Sequence, residues 1–185
     1  MQVHSLDIPE VKLVTPCVFS DDRGWFSETY NSQAMQAAGL DMNFVQDNQS
    51  YSASAGTVRG LHYQAPPFAQ GKLVRVLRGS ILDVAVDARK GSPTYGQSVS
   101  ATLSAAGAEQ LWVPIGFLHG FITLEPDTEV FYKVTNYYSR ECDGAVRWND
   151  PELSVGWGDF ANAAHLSEKD ERAPLWSEFE SPFTY

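Results

Sequence analysis

The chain reads as a mainly β fold, a double-sheet jelly roll or closed barrel with a few short helices. Three observations predict it. Short runs of alternating apolar residues recur along the chain, Gly and Pro (14 and 10 of 185 residues) punctuate them, and no repeat, heptad or low-complexity tract competes with that pattern. With 43% hydrophobic residues, the length suits one well-buried domain, residues 1–185, rather than two.

Taken in order, residues 11–14 form a short β-prone run. Asp21-Asp22-Arg23-Gly24 has turn chemistry, and Phe26, Glu28 and Tyr30 then fall on alternate positions. Asn31 or Ser32 can cap a helix through Ala34, Met35 and Ala38, with Gly39 as its stop. In the next strand Gln46, Asn48 and Ser50 share a face, a polar row better suited to a wet cavity than to a core. Residues 73–87 read as two strands joined at Gly79-Ser80, a dipeptide that suits a type II′ hairpin turn; Leu82, Val84 and Val86 alternate there with Asp83. Residues 90–96 are a loop, 98–105 a strand, and Ala106-Gly107 a turn. Further on, Val130, Tyr132 and Val134 share one side of a strand, and Phe131, Lys133 and Thr135 the other. Beyond Asn149-Asp150-Pro151 the chain is loop-like and aromatic, with a helical turn at residues 167–172 capped by Ser167. Taken alone, Asp170 in that turn is an ordinary solvated charge.

The formal net charge of -10 argues against a nucleic-acid polymer as partner, because such binding rests on a broad basic face. A small anion is compatible, since charges beyond ~8 Å are largely screened at physiological salt and a few clustered Arg and Lys suffice. Cys17 and Cys142 lie far apart without CxxC spacing, so neither a disulfide framework nor a zinc site is expected. The first residues lack the basic and apolar regions of an export signal, and no apolar run approaches the ~20 residues of a membrane span. A reduced, cytoplasmic protein without a membrane partner is expected.

Polar chemistry concentrates in residues 59–72, RGLHYQAPPFAQGK, where Arg59, His62, Gln64 and Lys72 surround a Pro-Pro pair that keeps part of the backbone out of any central strand or helix interior. Of four histidines, His4 is terminal and His165 lies in the tail, leaving His62 and His119 as candidates; either could equally be a satisfied structural histidine. An imidazole with an ordinary pKa of ~6.5 is mostly neutral near pH 7 yet basic enough to serve as a general base.

The segment GAEQLWVPIGFLHG resembles the second cupin motif, with Gly107, Pro114, Gly116 and His119 at its marked positions. Metal-binding cupins carry His-x-His in the first motif; here Gln64 replaces the second histidine, and the following strand offers no substitute. The resemblance therefore implies a cupin double-stranded β-helix with no metal. Within that superfamily, DDRGWFSETY, FVQDNQSYS, TVRGLHYQ, QGKLVRVLRGSILDVAVDARKGSPTYG, VPIGFLHGF, YKVTNYYS and LSEKD occur in the order found in dTDP-4-dehydrorhamnose 3,5-epimerases, and together they span nearly the whole chain.

That resemblance implies an enzyme of dTDP-L-rhamnose synthesis that inverts C3 and C5 of dTDP-4-dehydro-6-deoxy-D-glucose, uses no cofactor, and forms a homodimer exchanging N-terminal strands. It implies His62 as the base, Asp170 as the carboxylate holding its other nitrogen, Lys72 near the C4 oxygen and Tyr132 as the acid on the opposite face. Arg23, Arg59 and Lys169 match positions near the diphosphate. Glu28, Gln46, Asn48, His119 and Asp143 match positions contacting nucleotide or sugar, Asp143 standing where relatives often have Glu, and Tyr138 matches the aromatic that stacks on thymine. Two other readings stay open. One is a mono-epimerase or ketoisomerase of a related dTDP-4-keto sugar; the other is a cupin that binds a nucleotide sugar without turning it over.

Overall fold

The computed structural model describes residues 1–185, the side chain of Ala163 excepted. The first strands are β1 (Gln2–Ser5), β2 (Lys12–Thr15), β3 (Val18–Asp21), β4 (Gly24–Ser27), β5 (Gln46–Ser52), β6 (Val58–Gln64), β7 (Lys72–Arg78) and β8 (Ser80–Asp87). There follow β9 (Arg89–Lys90), β10 (Ser98–Ser104), β11 (Gln110–Val113), β12 (Phe117–Thr123), β13 (Thr128–Val134), β14 (Asp143–Ala145) and β15 (Phe183–Thr184). A six-stranded sheet in the order β1-β2-β11-β7-β13-β5 faces a five-stranded sheet in the order β10-β8-β12-β6-β14. This is the jelly roll that the Gly- and Pro-punctuated alternation predicts.

Between the sheets, Val74, Val76 and Val130 pack against Ile81, Ala85 and Phe121. The five-stranded sheet is covered on its outer face too, where Leu61, Val84, Val86, Leu118 and Ile122 meet Trp148, Trp157 and Phe183 of the C-terminal tail. Burial on both faces explains why every residue of β12 is buried and why β8 is nearly continuous in apolar residues. The face of β8 that carries Asp83 also carries Ile81 and Ala85, so it looks into the barrel.

One expectation fails. β7 and β8 do not pair across Gly79-Ser80: β7 lies between β11 and β13, while β8 lies between β10 and β12. Gly79, at φ +77, is a corner where the chain leaves one sheet for the other, and a Cβ there would run into the Thr128 side chain. The type II′ hairpin turn expected there does not form: a glycine that lets the chain change direction does not make its flanking strands neighbours.

Helix α1 (Ser32–Ala37) starts where expected: the Asn31 side chain accepts from the backbone N–H groups of Gln33 and Ala34 at 3.0 and 3.2 Å. Its Met35 is buried with Val14, Leu40 and Leu73 against the six-stranded sheet. β2 pairs with β11 of its own chain. β3 and β4 instead form a separate hairpin whose Phe19, Trp25 and Phe26 are 64%, 65% and 69% exposed. Among the described residues, no helix is long and apolar enough to cross a membrane.

Candidate active site

A cavity of about 450 Å³ opens between the two sheets and continues into a second lobe of about 290 Å³, the two sharing His62, Lys72, Tyr132 and Lys169. Arg59 and His62 both line the first lobe although they are three residues apart, a spacing that in a regular strand would put them on opposite faces. A register shift resolves this. His119 is opposite His62 and Phe121 opposite Arg59, so β6 carries one more residue than β12 across the same stretch. The bulge contains Gly60, at φ +129, where a Cβ would lie 2.5 Å from the Gly120 Cα. Only glycine fits that crossing.

Nε2 of His62 lies 2.5 Å from Oδ1 of Asp170, which is 3% exposed. Ser167 Oγ donates to the other carboxylate oxygen at 2.9 Å and accepts from the Asp170 backbone N–H at 3.2 Å. Burial by itself would raise the Asp170 pKa, but the hydrogen bonds from His62 and Ser167 and the positive charge of Lys169 hold it below the ordinary value. An ionised carboxylate can only accept, so His62 Nε2 carries the proton and Nδ1 is left as the basic nitrogen. Asp170 is thus no solvated charge. The short helix α2 (Glu168–Glu171), capped by Ser167, turns it onto β6.

A second carboxylate–imidazole pair lies beside the first. His119 Nε2 donates to Asp83 Oδ1 at 2.7 Å, and its Nδ1 faces the Lys72 ammonium at 3.5 Å. Burial lowers the His119 pKa, and the Lys72 charge adds to that, against the opposing pull of Asp83. The neutral ring can therefore accept from Lys72. Burial brings the Lys72 pKa down to about 8, with Asp83 and Asp143 resisting and Lys169 assisting. Asp83 was missed as a site residue. The available signal was a carboxylate in the middle of an apolar strand; what hid it was that its apolar neighbours Val84 and Val86 pack under the tail instead of facing the cavity.

Tyr132 reaches the cavity from the opposite sheet, on β13 between β7 and β5. Burial raises its pKa, so the phenol keeps its proton at neutral pH. In the second lobe the expected polar row is present: Gln46 and Asn48 line it, with Gln46 Nε2 donating to Asn48 Oδ1 at 2.8 Å. Tyr138 caps the lobe, its backbone N–H on Gln46 Oε1 at 3.1 Å and its hydroxyl 3.4 Å from Asp143 Oδ2. Lys169 pairs with the same Asp143 oxygen. Arg23 and Glu28 are not drawn in. Arg23 is engaged with Asp21 at the tip of the β3–β4 hairpin, and Glu28 is exposed beside it. Among the described residues, no three His, Cys, Asp or Glu side chains converge as metal ligands.

The double-sheet barrel thus holds a His–Asp pair on one wall of a cavity and a tyrosine on the other, groups that can take and give protons on two sides of a bound molecule. A sequence profile of the dTDP-4-dehydrorhamnose 3,5-epimerases matches residues 5–178. The enzyme of that name from Sinorhizobium fredii is 51% identical over 185 residues, covering 100% of this chain and 94% of its own. A crystal structure of the Legionella pneumophila epimerase in complex with dTDP-4-keto-L-rhamnose superposes with TM-score 0.93 at 39% identity, covering 100% of this chain and 98% of that one. A 3′-monoepimerase from Streptomyces bikiniensis, in complex with dTDP-quinovose, superposes with TM-score 0.87 at 32% identity, over 94% of this chain and 87% of its own. The chain belongs to the dTDP-4-dehydrorhamnose 3,5-epimerase family.

Proposed function

We propose that the protein converts dTDP-4-dehydro-6-deoxy-D-glucose to dTDP-4-dehydro-L-rhamnose, inverting C3 and C5 by proton transfer through an enolate, as a step of dTDP-L-rhamnose synthesis. The observation that carries this reading is the division of the site between the sheets. His62, held by Asp170, stands on one wall, and Tyr132 stands on the other. Inversion needs a proton removed from one face of the carbon and returned to the other, and two walls supply both. Lys72 is the half-buried cation in the cavity available for the C4 oxygen as the enolate forms. The reaction is redox-neutral and the ketone itself acidifies the C–H bond, so the chemistry calls for no metal or organic cofactor.

Arg59 and Lys169 line the cavity where a diphosphate would follow the sugar, and Arg can grip phosphate oxygens through two parallel hydrogen bonds. Gln46, Asn48, Asp143 and Tyr138 then address the nucleotide in the second lobe, with Tyr138 stacking on thymine. His119 orients Lys72 and borders the sugar. Turnover of the 4-keto sugar nucleotide in D2O is expected to place deuterium at both C3 and C5, read by NMR. Label at C3 alone would make the protein a mono-epimerase, and binding without label would make it a nucleotide-sugar carrier.

The working form is a homodimer. Arg23 and Glu28 lie away from their own chain's cavity, on or next to a hairpin that exposes Phe19, Trp25 and Phe26, and a partner chain would bury those aromatics while receiving the guanidinium. A mixed dimer tests this. Arg23→Ala and His62→Ala chains, each poorly active alone, should together recover about a quarter of wild-type activity, since random mixing makes about half the dimers hybrids and each hybrid has one intact site. No recovery would place Arg23 outside the partner's site.

A further inference from the structure

Gln64 lies two residues beyond His62 on β6, and its amide is spent entirely on backbone. Nε2 donates to the carbonyls of Phe68 at 2.6 Å and Tyr137 at 3.1 Å, and Oε1 accepts from the Ser139 N–H at 2.7 Å. The side chain is buried, 5% exposed, at the floor of the second lobe. Two loops meet there: residues 65–71, carrying the Pro-Pro pair, and residues 135–142, carrying Tyr138. Both neighbours of Tyr138 are thereby fixed by their main chain.

Tyr138 itself is 58% exposed. A ring so open has little packing to hold it, and ordering it only when a base arrives would cost affinity. From these contacts we propose that Gln64 is the positioning residue for nucleotide binding, holding the Tyr137–Ser139 backbone so that the Tyr138 ring is preset as a platform for the base. The inference rests on the reading of Tyr138 as the thymine-stacking aromatic. It also explains what the amide does at the position where metal-binding cupins carry a histidine: one donor pair and one acceptor match two carbonyls and an N–H, a set that an imidazole could not satisfy.

Gln64→Met keeps the length and removes every hydrogen bond, leaving three backbone groups to find new partners. The dissociation constant for dTDP and KM for the keto sugar nucleotide should each rise about tenfold, with kcat within about threefold of wild type. Binding of inorganic pyrophosphate, which has no base to stack, should be unchanged. In a Tyr138→Ala background the same substitution should add less than about twofold, because the platform is already gone. A fall in kcat at constant KM, an equal weakening of pyrophosphate, or full additivity with Tyr138→Ala would each overturn the assignment. Should Gln64→Met fold poorly, Gln64→Glu, which keeps the acceptor for Ser139 and loses both donors, carries the same comparisons. If the wild type does not bind dTDP, the base-lobe reading falls; if it does and Gln64→Met binds as well, only the role of Gln64 falls.

Discussion

His62→Ala is expected to lower turnover by about 10³- to 10⁴-fold, the upper range for removal of a positioned general base. Deuterium incorporation at both carbons should vanish with it, while the dissociation constant for dTDP, measured calorimetrically, stays within about threefold of wild type. The separation follows from the geometry. His62 meets Asp170 through one nitrogen and the cavity with the other, while the groups around the second lobe, Gln46, Asn48 and Tyr138, hold one another without it. Exchange persisting at either carbon would mean that a different group of the cavity, such as His119, removes that proton.

Lys72→Met is expected to cost about 10²- to 10³-fold in kcat, comparable to losing one donor from an oxyanion site. Methionine preserves the stem and removes the charge, so folding should survive. The pH dependence gives a second, signed check. The Lys72 pKa in the fold, about 8, lies below its ordinary value of 10.5, so the ammonium is present below about pH 8 and is lost above it. Wild-type kcat/KM should therefore fall as pH rises through about 8, and the alkaline fall should disappear in the residual activity of Lys72→Met. Stability moves the other way: between about pH 8 and 10.5 the unfolded chain binds more protons than the fold at this residue, so its contribution to stability rises with pH in that window. Tyr132 cannot mimic this limb, because burial moves its pKa upward from an already alkaline value.

Much of this arrangement was legible in local pattern. The alternation that set Gln46, Asn48 and Ser50 on one face, and Tyr132 with Val130 and Val134, survives in β5 and β13 because a period of two depends only on the strand itself. Asn31 and Ser167 were readable as caps for the same reason, each acting within three residues. What stayed hidden involves distant partners. Asp170 reads as solvated until His62, 108 residues away, is placed against it. The common face of Arg59 and His62 depends on a bulge set by β12, and the corner at Gly79 depends on which sheet each flanking strand joins. Asp83 combines both difficulties, since a tail packed on the far side of its sheet decides which face is interior. Resemblance supplied several of these links where spacing could not.

The origin of Asp170 in the tail has a consequence in time. A ribosome delivers the chain from its N-terminus, so His62, Lys72, His119 and Tyr132 all emerge before the residue that orients the imidazole. Until Asp170 emerges, 108 residues later, the nascent protein holds a histidine without its carboxylate partner. The tautomer that leaves Nδ1 basic is selected only when the segment carrying Asp170 docks on β6, which ties readiness of the site to a stretch made 108 residues after the histidine.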